Sequence, residues 1–392
     1  MRKVVIVSAK RTPIGSFMGK LSSLKVTELG KVAIQGILDE TKISNNSIDE
    51  VIMGNVLSAG VGQSSARQSA LSAGLSENTE CLTINKMCGS GLKAVMLADQ
   101  AIKSGDADAV IAGGMESMSN APYLIPTARR GNRLGSTTMI DSMIHDGLWD
   151  VYNDIHMGNC AEKCARDFNF SREELDDFAI ESYKKVLKAQ ENKIFDDEIV
   201  HVPVVDGRNE FTVVEDEEPK NVMFEKIPKL RPAFDKDGII TAANSSKIND
   251  GAAALLVMSE KKAIELGLVP MVEIIAQASA ALAPIDFSIA PASAIKNVLS
   301  KTKLELKNID IFEINEAFAV VSLAVNKLLG LNSSRVNIHG GAIALGHPIG
   351  ASGARILTTL IHQMKRNNFE YGIASLCIGG GEGSAMIVKN YN

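Results

Sequence analysis

The feature that most constrains this 392-residue chain is that it repeats itself. Ala33-Ile34-Gln35-Gly36-Ile37-Leu38-Asp39-Glu40-Thr41-Lys42 aligns with Ala294-Ile295-Lys296-Asn297-Val298-Leu299-Ser300-Lys301-Thr302-Lys303 at an offset of 261. The same offset brings Ile48-Asp49 onto Ile309-Asp310, and an offset of 262 brings Ser90-Gly91 onto Ser352-Gly353. In each half an apolar-periodic helix follows, then a strand ending in glycines, at Ala109 to Gly114 and at Ala374 to Gly381. Register kept through helix, strand, helix and strand implies one fold used twice.

Within each half, Val- and Ile-rich strands alternate with helical stretches, which implies an α/β fold of mostly parallel sheets covered by helices. Residues 1–118 with 251–269 make one core domain in this reading, and residues 270–392 the other. Residues 119–250 resemble neither. They hold Arg129-Arg130-Gly131-Asn132-Arg133, the acidic run Glu215-Asp216-Glu217-Glu218, and one convincing long helix near 171–192. Ser171-Arg172-Glu173-Glu174 opens that helix as a capping box. The segment reads as an inserted loop-rich domain, of the kind that binds or covers substrate.

A net charge of −5 argues against nucleic acid or an anionic membrane as partner, so an anionic ligand needs a local basic patch. No apolar run approaches the roughly 18 residues of a membrane span. Met1-Arg2-Lys3 leads straight into Val4-Val5-Ile6-Val7, which reads as a strand and not as a signal or transit peptide, and a cytoplasmic protein is expected. A mitochondrial matrix location would require that a transit peptide has been removed. Five cysteines fit a reducing compartment. Cys160 and Cys164 sit on a probable helix with no second pair of metal ligands, so two packed thiols are expected.

Four segments could carry chemistry. In Ile84-Asn85-Lys86-Met87-Cys88-Gly89-Ser90-Gly91 a strand ends at a cysteine and a helix begins. A helix N-terminus lowers a thiol pKa, and the glycines bring amide N–H groups to the sulfur, where an oxyanion could be held. A buried cysteine in a glycine-rich turn is the bland alternative. In Gly346-His347-Pro348-Ile349-Gly350-Ala351-Ser352-Gly353 the residue before proline is held extended, which suits a fixed base, and the ending of a phosphate-binding loop is missing. Ser375-Leu376-Cys377-Ile378-Gly379-Gly380-Gly381 sets a second cysteine at a strand end. In Glu313-Ile314-Asn315-Glu316-Ala317-Phe318 the asparagine is expected to cap the following helix, yet it falls on Gly54 in the repeat, which leaves a chemical role open. Loops at strand C-termini of α/β sheets can bring all four together.

These motifs, with Gly113-Gly114-Met115-Glu116-Ser117-Met118-Ser119, resemble the signatures of the thiolase family, and the likeness runs from Ser8-Ala9-Lys10-Arg11-Thr12-Pro13-Ile14-Gly15 to the C-terminus. The resemblance implies two similar core domains in a five-layered α-β-α-β-α sandwich, with an inserted loop domain. It implies that Cys88 takes the acyl group as a thioester, activated by His347, and that Cys377 moves the proton at the Cα of the second acetyl-CoA. Asn315 would hold a water that forms one oxyanion hole with His347, and the amides of Cys88 and Gly379 would form the other. Coenzyme A is then substrate and product, no cofactor is required, and a homotetramer built from dimers is implied.

Within the family, Asp154-Ile155-His156-Met157-Gly158 resembles the short-chain members that interconvert acetyl-CoA and acetoacetyl-CoA, with His156 and Met157 at the acyl pocket. Leu148, Phe234, Ala242, Ser246 and Phe318 match pantetheine-contacting positions, and Tyr152 is expected at the CoA site with them. Lys220, Asn221, Val222, Met223 and Lys226 match the segment that meets the phosphate end of CoA. Ala243-Asn244-Ser245-Ser246-Lys247 and Asp150-Val151-Tyr152-Asn153 lean toward the mitochondrial-type subgroup. That likeness implies potassium at Tyr152, Ala242, Ala243, Ser245 and Ile343. A broader-range 3-ketoacyl-CoA thiolase is the alternative. Cys377 argues against a β-ketoacyl synthase, and the intact set of four argues against a non-catalytic relative.

Overall fold

The computed structural model describes residues 2–391. The first half contains β1 (Val4–Arg11), α1 (Val26–Thr41), β2 (Glu50–Gly54), α2 (Ser65–Ser72), β3 (Glu80–Ile84), α3 (Ser90–Ser104) and β4 (Ala109–Ser117). A long excursion follows, in which α4 (Met157–Phe168) and α5 (Arg172–Glu191) are the main helices and the rest is short strands and turns. The chain then forms β5 (Asn249–Ser259), β6 (Val272–Ala281), α6 (Ala290–Ser300), β7 (Ile311–Ile314), α7 (Ala319–Leu329), α8 (Ser352–Asn367), β8 (Tyr371–Ile378) and β9 (Glu382–Asn390). The repeat is visible in the element starts. β7 begins 261 residues after β2, and α8 and β8 begin 262 after α3 and β4.

The strands form one path in the order β7-β8-β9-β6-β1-β5-β4-β2-β3. The halves join at β1 and β6 through only two residue pairs, Val5 with Glu273 and Ile6 with Val272. Outward from that seam, β1-β5-β4-β2 is mirrored by β6-β9-β8-β7. Parallel pairing is confined to β2–β3, β2–β4 and β7–β8, so the expectation of mostly parallel sheets does not hold. The reason lies in the connections. β9 follows β8 through a three-glycine turn, and a tight hairpin can only be antiparallel. β5 returns from the excursion and runs against both β1 and β4.

Successive residues of a strand face opposite sides, and each side here is covered by helices. Leu256 and Val51 pack with Leu29, Ile34 and Ile37 of α1 on one outer face. Leu255, Ile52 and Leu376 pack with Leu92 and Val95 of α3 and Leu357 and Leu360 of α8 in the middle. Ile314, Ile373 and Ile387 pack with Ile295 of α6 and Val321 of α7 on the other outer face. The result is helix, sheet, helix, sheet, helix, the five layers expected.

The central helices α3 and α8 are repeat mates and cross at the repeated Ser-Gly pair. A Cβ on Gly91 would lie 2.7 Å from the Ala354 nitrogen, and one on Gly353 would lie 2.4 Å from the Leu92 nitrogen. Only glycine lets the helices approach this closely. The excursion is tied to β1 by Arg11, fully buried, whose guanidinium meets Glu198 at 2.5 Å and Asp216 at 2.6 Å. Cys160 and Cys164 are free and buried on α4, as a packed pair of thiols should be. Among the described residues, no group of three or more His, Cys, Asp or Glu could hold a metal ion, and no helix is long and apolar enough to cross a membrane.

Candidate active site

β3 and α3 are joined by a turn that presents Cys88. The Asn85 side chain accepts from the Met87 amide at 2.9 Å, and Ser90 Oγ accepts from the Lys86 amide at 2.8 Å while donating to the Met87 carbonyl at 2.7 Å. These bonds hold Met87 at φ +48°, a left-handed conformation uncommon outside glycine. The second cysteine turn packs directly on the first. Ile378 lies against Gly89, and Lys86 pairs with Glu382 just beyond the glycines Gly380 and Gly381.

Cys377, at the end of β8, is buried, and Cys88 is half-buried. Both line one apolar cavity of about 380 Å³, together with His347 and Gly379. Burial pushes the Cys88 thiol up to about 11, against the opposing pull of the Gly379 and Cys88 amides. The lowered resting pKa expected for a thiol at a helix N-terminus is therefore not found, because desolvation outweighs the amides. Burial also holds Cys377 well above the usual thiol range, with neighbouring Cys88 adding to the effect.

His347 is fixed at two points. Its amide donates to Asn249 Oδ1 at 2.9 Å, and its Nδ1 lies 2.5 Å from Ser352 Oγ. Ser352 Oγ lies 2.9 Å from the Pro348 carbonyl, and with its hydroxyl proton donated there it accepts from His347 Nδ1. The proton of the neutral ring therefore sits on Nδ1, and Nε2 is left as the base. Burial, followed by the charge of Arg355, lowers the His347 pKa to about 3.

Asn315 Nδ2 lies 3.4 Å from His347 Nε2, and its Oδ1 accepts from Arg355 at 3.4 Å. The arginine sets which way the amide points. α7 starts after Phe318 with no side-chain cap, so the helix-capping reading of Asn315 does not hold. The His347–Gly350 turn rests on Glu116, whose carboxylate accepts from the amides of Val56, Leu57 and Gly350 and from Asn55 Nδ2. Ser352, Arg355, Asn249 and Glu116 are supporting residues whose roles were not read from the sequence. A serine five positions after the histidine, at a helix start, was the available signal for the first.

Of the expected substrate positions, Leu148, His156, Met157, Phe234, Ala242, Ser246 and Phe318 line the cavity. His156 stacks on Phe234 with ring centroids 4.6 Å apart, and the Gly158 amide donates to its Nδ1 at 3.0 Å. A Cβ on Gly158 would strike the Phe234 ring at 2.2 Å, so the glycine is what lets that ring in. Lys220, Asn221, Met223 and Lys226 are exposed, Val222 is half-buried, and none of the five lines the cavity. Lys220 is paired with Glu215 at 2.6 Å.

Of the five positions expected to hold potassium, two have their carbonyls engaged by a lysine. The carbonyls of Ala242 and Ser245 already accept from Lys247 Nζ, at 2.6 and 2.9 Å, and Tyr152 is 72% exposed. Ala243 and Ile343 are buried and lie outside the cavity lining.

Residues 4–261 match the family model described as thiolase, N-terminal domain, and residues 268–390 match that of the thiolase C-terminal domain. The chain belongs to the thiolase family. It is therefore an acyltransferase. It is 50% identical to an acetyl-CoA acetyltransferase from Arabidopsis thaliana over 99% of this chain and 94% of the relative. The crystal structure of a Bacillus anthracis acetyl-CoA acetyltransferase superposes with TM-score 0.97 at 40% identity, covering 100% of this chain and 99% of that one. An Ascaris suum thiolase solved in complex with coenzyme A superposes at 0.94 with 46% identity, covering 100% of both chains.

Proposed function

We propose that this thiolase joins two molecules of acetyl-CoA into acetoacetyl-CoA and CoA, and catalyses the reverse thiolysis, through an acetyl thioester on Cys88. The observation that carries the reading is the presence of two thiols and the His347 imidazole on the wall of one apolar cavity. The printed activities of the similar proteins, and the coenzyme A in one of them, support acetyl-CoA as the substrate.

The steps follow from the proton positions. Cys88 attacks the thioester carbonyl and its proton passes to His347 Nε2. The departing CoA thiolate takes a proton from Cys377, which leaves an imidazolium and a thiolate. Neither charge is stable alone in this cavity, but each offsets the other. The Cys377 thiolate then removes a Cα proton from the second acetyl-CoA. The resulting enolate attacks the acetyl group on Cys88, and the released Cys88 thiolate recovers its proton from His347. A thioester Cα–H is a weak acid, so this step needs both a close base and a stabilised enolate. Asn315 with a water and His347 is assigned one oxyanion, and the amides of Cys88 and Gly379 the other.

Crowding near the thiols supports short acyl chains over the broader-range alternative. The Met157 Cε stands 3.9 Å from where a Gly379 Cβ would be, and the His156–Phe234 stack fills the same wall. Lys220 to Lys226 is assigned to the CoA phosphates. The exposed Lys220–Glu215 pair would yield readily, since such pairs contribute about 0–1 kcal/mol. Core domains at 1–118 with 251–269 and at 270–392, and an inserted domain at 119–250, belong to the same reading, as does a cytoplasmic setting. A homotetramer is supported by the large apolar side chains offered to solvent near the Tyr123–Leu124 hairpin strand, Leu134 above all at 98% exposure. Thiolysis rates for acetoacetyl-CoA, its 2-methyl derivative and a medium-chain 3-ketoacyl-CoA test the substrate. The first should be fastest, and a preference for the medium chain would overturn the short-chain assignment.

A further inference from the structure

We propose that Lys247 is a tethered cation that gathers the Thr241–Ser246 turn at the cavity wall and makes the enzyme independent of added potassium. Its Nζ donates to the carbonyls of Ala242 and Ser245, at 2.6 and 2.9 Å, and lies 5.7 Å from the centroid of the Tyr183 ring. Two carbonyl oxygens and an aromatic face surround the ammonium, and the Glu218 carboxylate acts on it electrostatically. Burial lowers the Lys247 pKa to about 8, and the charge of Glu218 pulls it the other way. Neighbouring carbonyl dipoles aimed at one point repel each other, and a positive charge there removes the conflict.

What this turn carries gives the ammonium a role in the reaction. The Ser246 amide donates to the Ala317 carbonyl at 2.9 Å, Ser245 bridges Phe318, and the Ala319 amide donates to the Asn244 carbonyl at 2.9 Å. Ala317 and Phe318 directly follow Asn315 and Glu316. The turn thus places Ser246 and Phe318 on the cavity wall and braces the segment that presents Asn315 to His347. Lys247 is a positioning residue in this account. A free monovalent cation on the same carbonyls would do the same work, and the lysine has taken its place. The inference rests on the cavity being the acyl-CoA site, but part of its test does not.

The test compares kcat, the KM for CoA and the thermal unfolding midpoint in potassium, sodium and tetramethylammonium chlorides at constant ionic strength. Wild type should respond to none of these exchanges in rate or in midpoint. Lys247→Gly opens the site, and in tetramethylammonium its kcat should fall about tenfold as the segment that presents Asn315 loses its brace. Potassium should restore both kcat and midpoint, with little change in the KM for CoA. Lys247→Met fills the space without charge and should stay impaired in all three salts. Several-fold activation of the wild type by potassium would overturn the proposal. So would a Lys247→Gly protein whose KM for CoA rises with no response to cations, because the lysine would then be a substrate contact. The midpoints report on the cation site even if the enzyme proves to act on a different acyl-CoA.

Discussion

Replacing Ser352 with alanine removes one buried acceptor and little else. Ser352 Oγ is the partner of His347 Nδ1 at 2.5 Å, and it also donates to Pro348. The Pro348 carbonyl keeps the amides of Ala351 and Ser352, at 2.9 and 3.0 Å, so it stays satisfied in the variant. The imidazole N–H is left without an acceptor in a site where His347 is 5% exposed. A buried donor without a partner costs ~1–3 kcal/mol. The ring can avoid that cost by moving its proton to Nε2, but it then ceases to be a base toward Cys88. By either route the penalty falls on acylation, and kcat/KM should drop about 5- to 150-fold. Stopped-flow measurement of CoA release from acetyl-CoA reads that step, and the unfolding midpoint, expected to change little, serves as the control for folding. Acylation within twofold of wild type would refute the assignment of Nδ1–H to Ser352 and, with it, the free Nε2.

Four further outcomes follow from the same geometry. Because burial holds His347 near 3, its base form is lost only as pH falls through that value, so kcat/KM should stay flat from about pH 8 to pH 5, and an inflection near 6.5 would contradict this. The same depression makes the unfolded chain the better proton binder between about 3 and 6.5, so stability should decline as pH falls through that window, measurable by urea unfolding. Glu116→Gln puts an amide NH₂ against two N–H donors in either orientation, which should cost ~2–4 kcal/mol and lower the unfolding midpoint by several degrees. Gly353→Ala drives a methyl group toward the Leu92 nitrogen and should cost ~1–3 kcal/mol by overpacking the α3–α8 crossing, whereas Gly131→Ala meets nothing within 4 Å and should cost only the backbone strain of its φ of +78°, about 1 kcal/mol.

The repeat was the most legible part of the chain, because glycines at a helix crossing and apolar faces on paired strands have to recur wherever the same packing recurs. Its offsets of 261 and 262 reappear in the starts of β7, α8 and β8. Strand direction was less legible. Val- and Ile-rich runs look alike in parallel and antiparallel pairs, and only the connections around β5 and β9 separate them. Cys88, Cys377 and His347 could be found because each lies within two residues of glycine or proline, which mark turns whatever their tertiary setting. Asn315 was ambiguous, since a cap and a site residue look the same until the Arg355 side chain is seen to orient the amide. The resting pKa of Cys88 was misjudged from the helix terminus, because local sequence does not report how much the rest of the fold desolvates a thiol. Lys247 could not have been read as a cation site, because its partners are backbone carbonyls brought round by a turn.

Trapping the acyl-enzyme tests the central claim most directly. Protein mixed with acetyl-CoA, quenched in acid within seconds and digested can be mapped by mass spectrometry for an acetyl group on each of the five cysteines. Acetyl should be found on Cys88 in the wild type and should accumulate there in Cys377→Ala, where the condensation that consumes it is blocked. In Cys88→Ala no cysteine should be labelled and condensation should be lost. Acetyl on Cys377, or a Cys88→Ala enzyme that still forms acetoacetyl-CoA, would contradict the account.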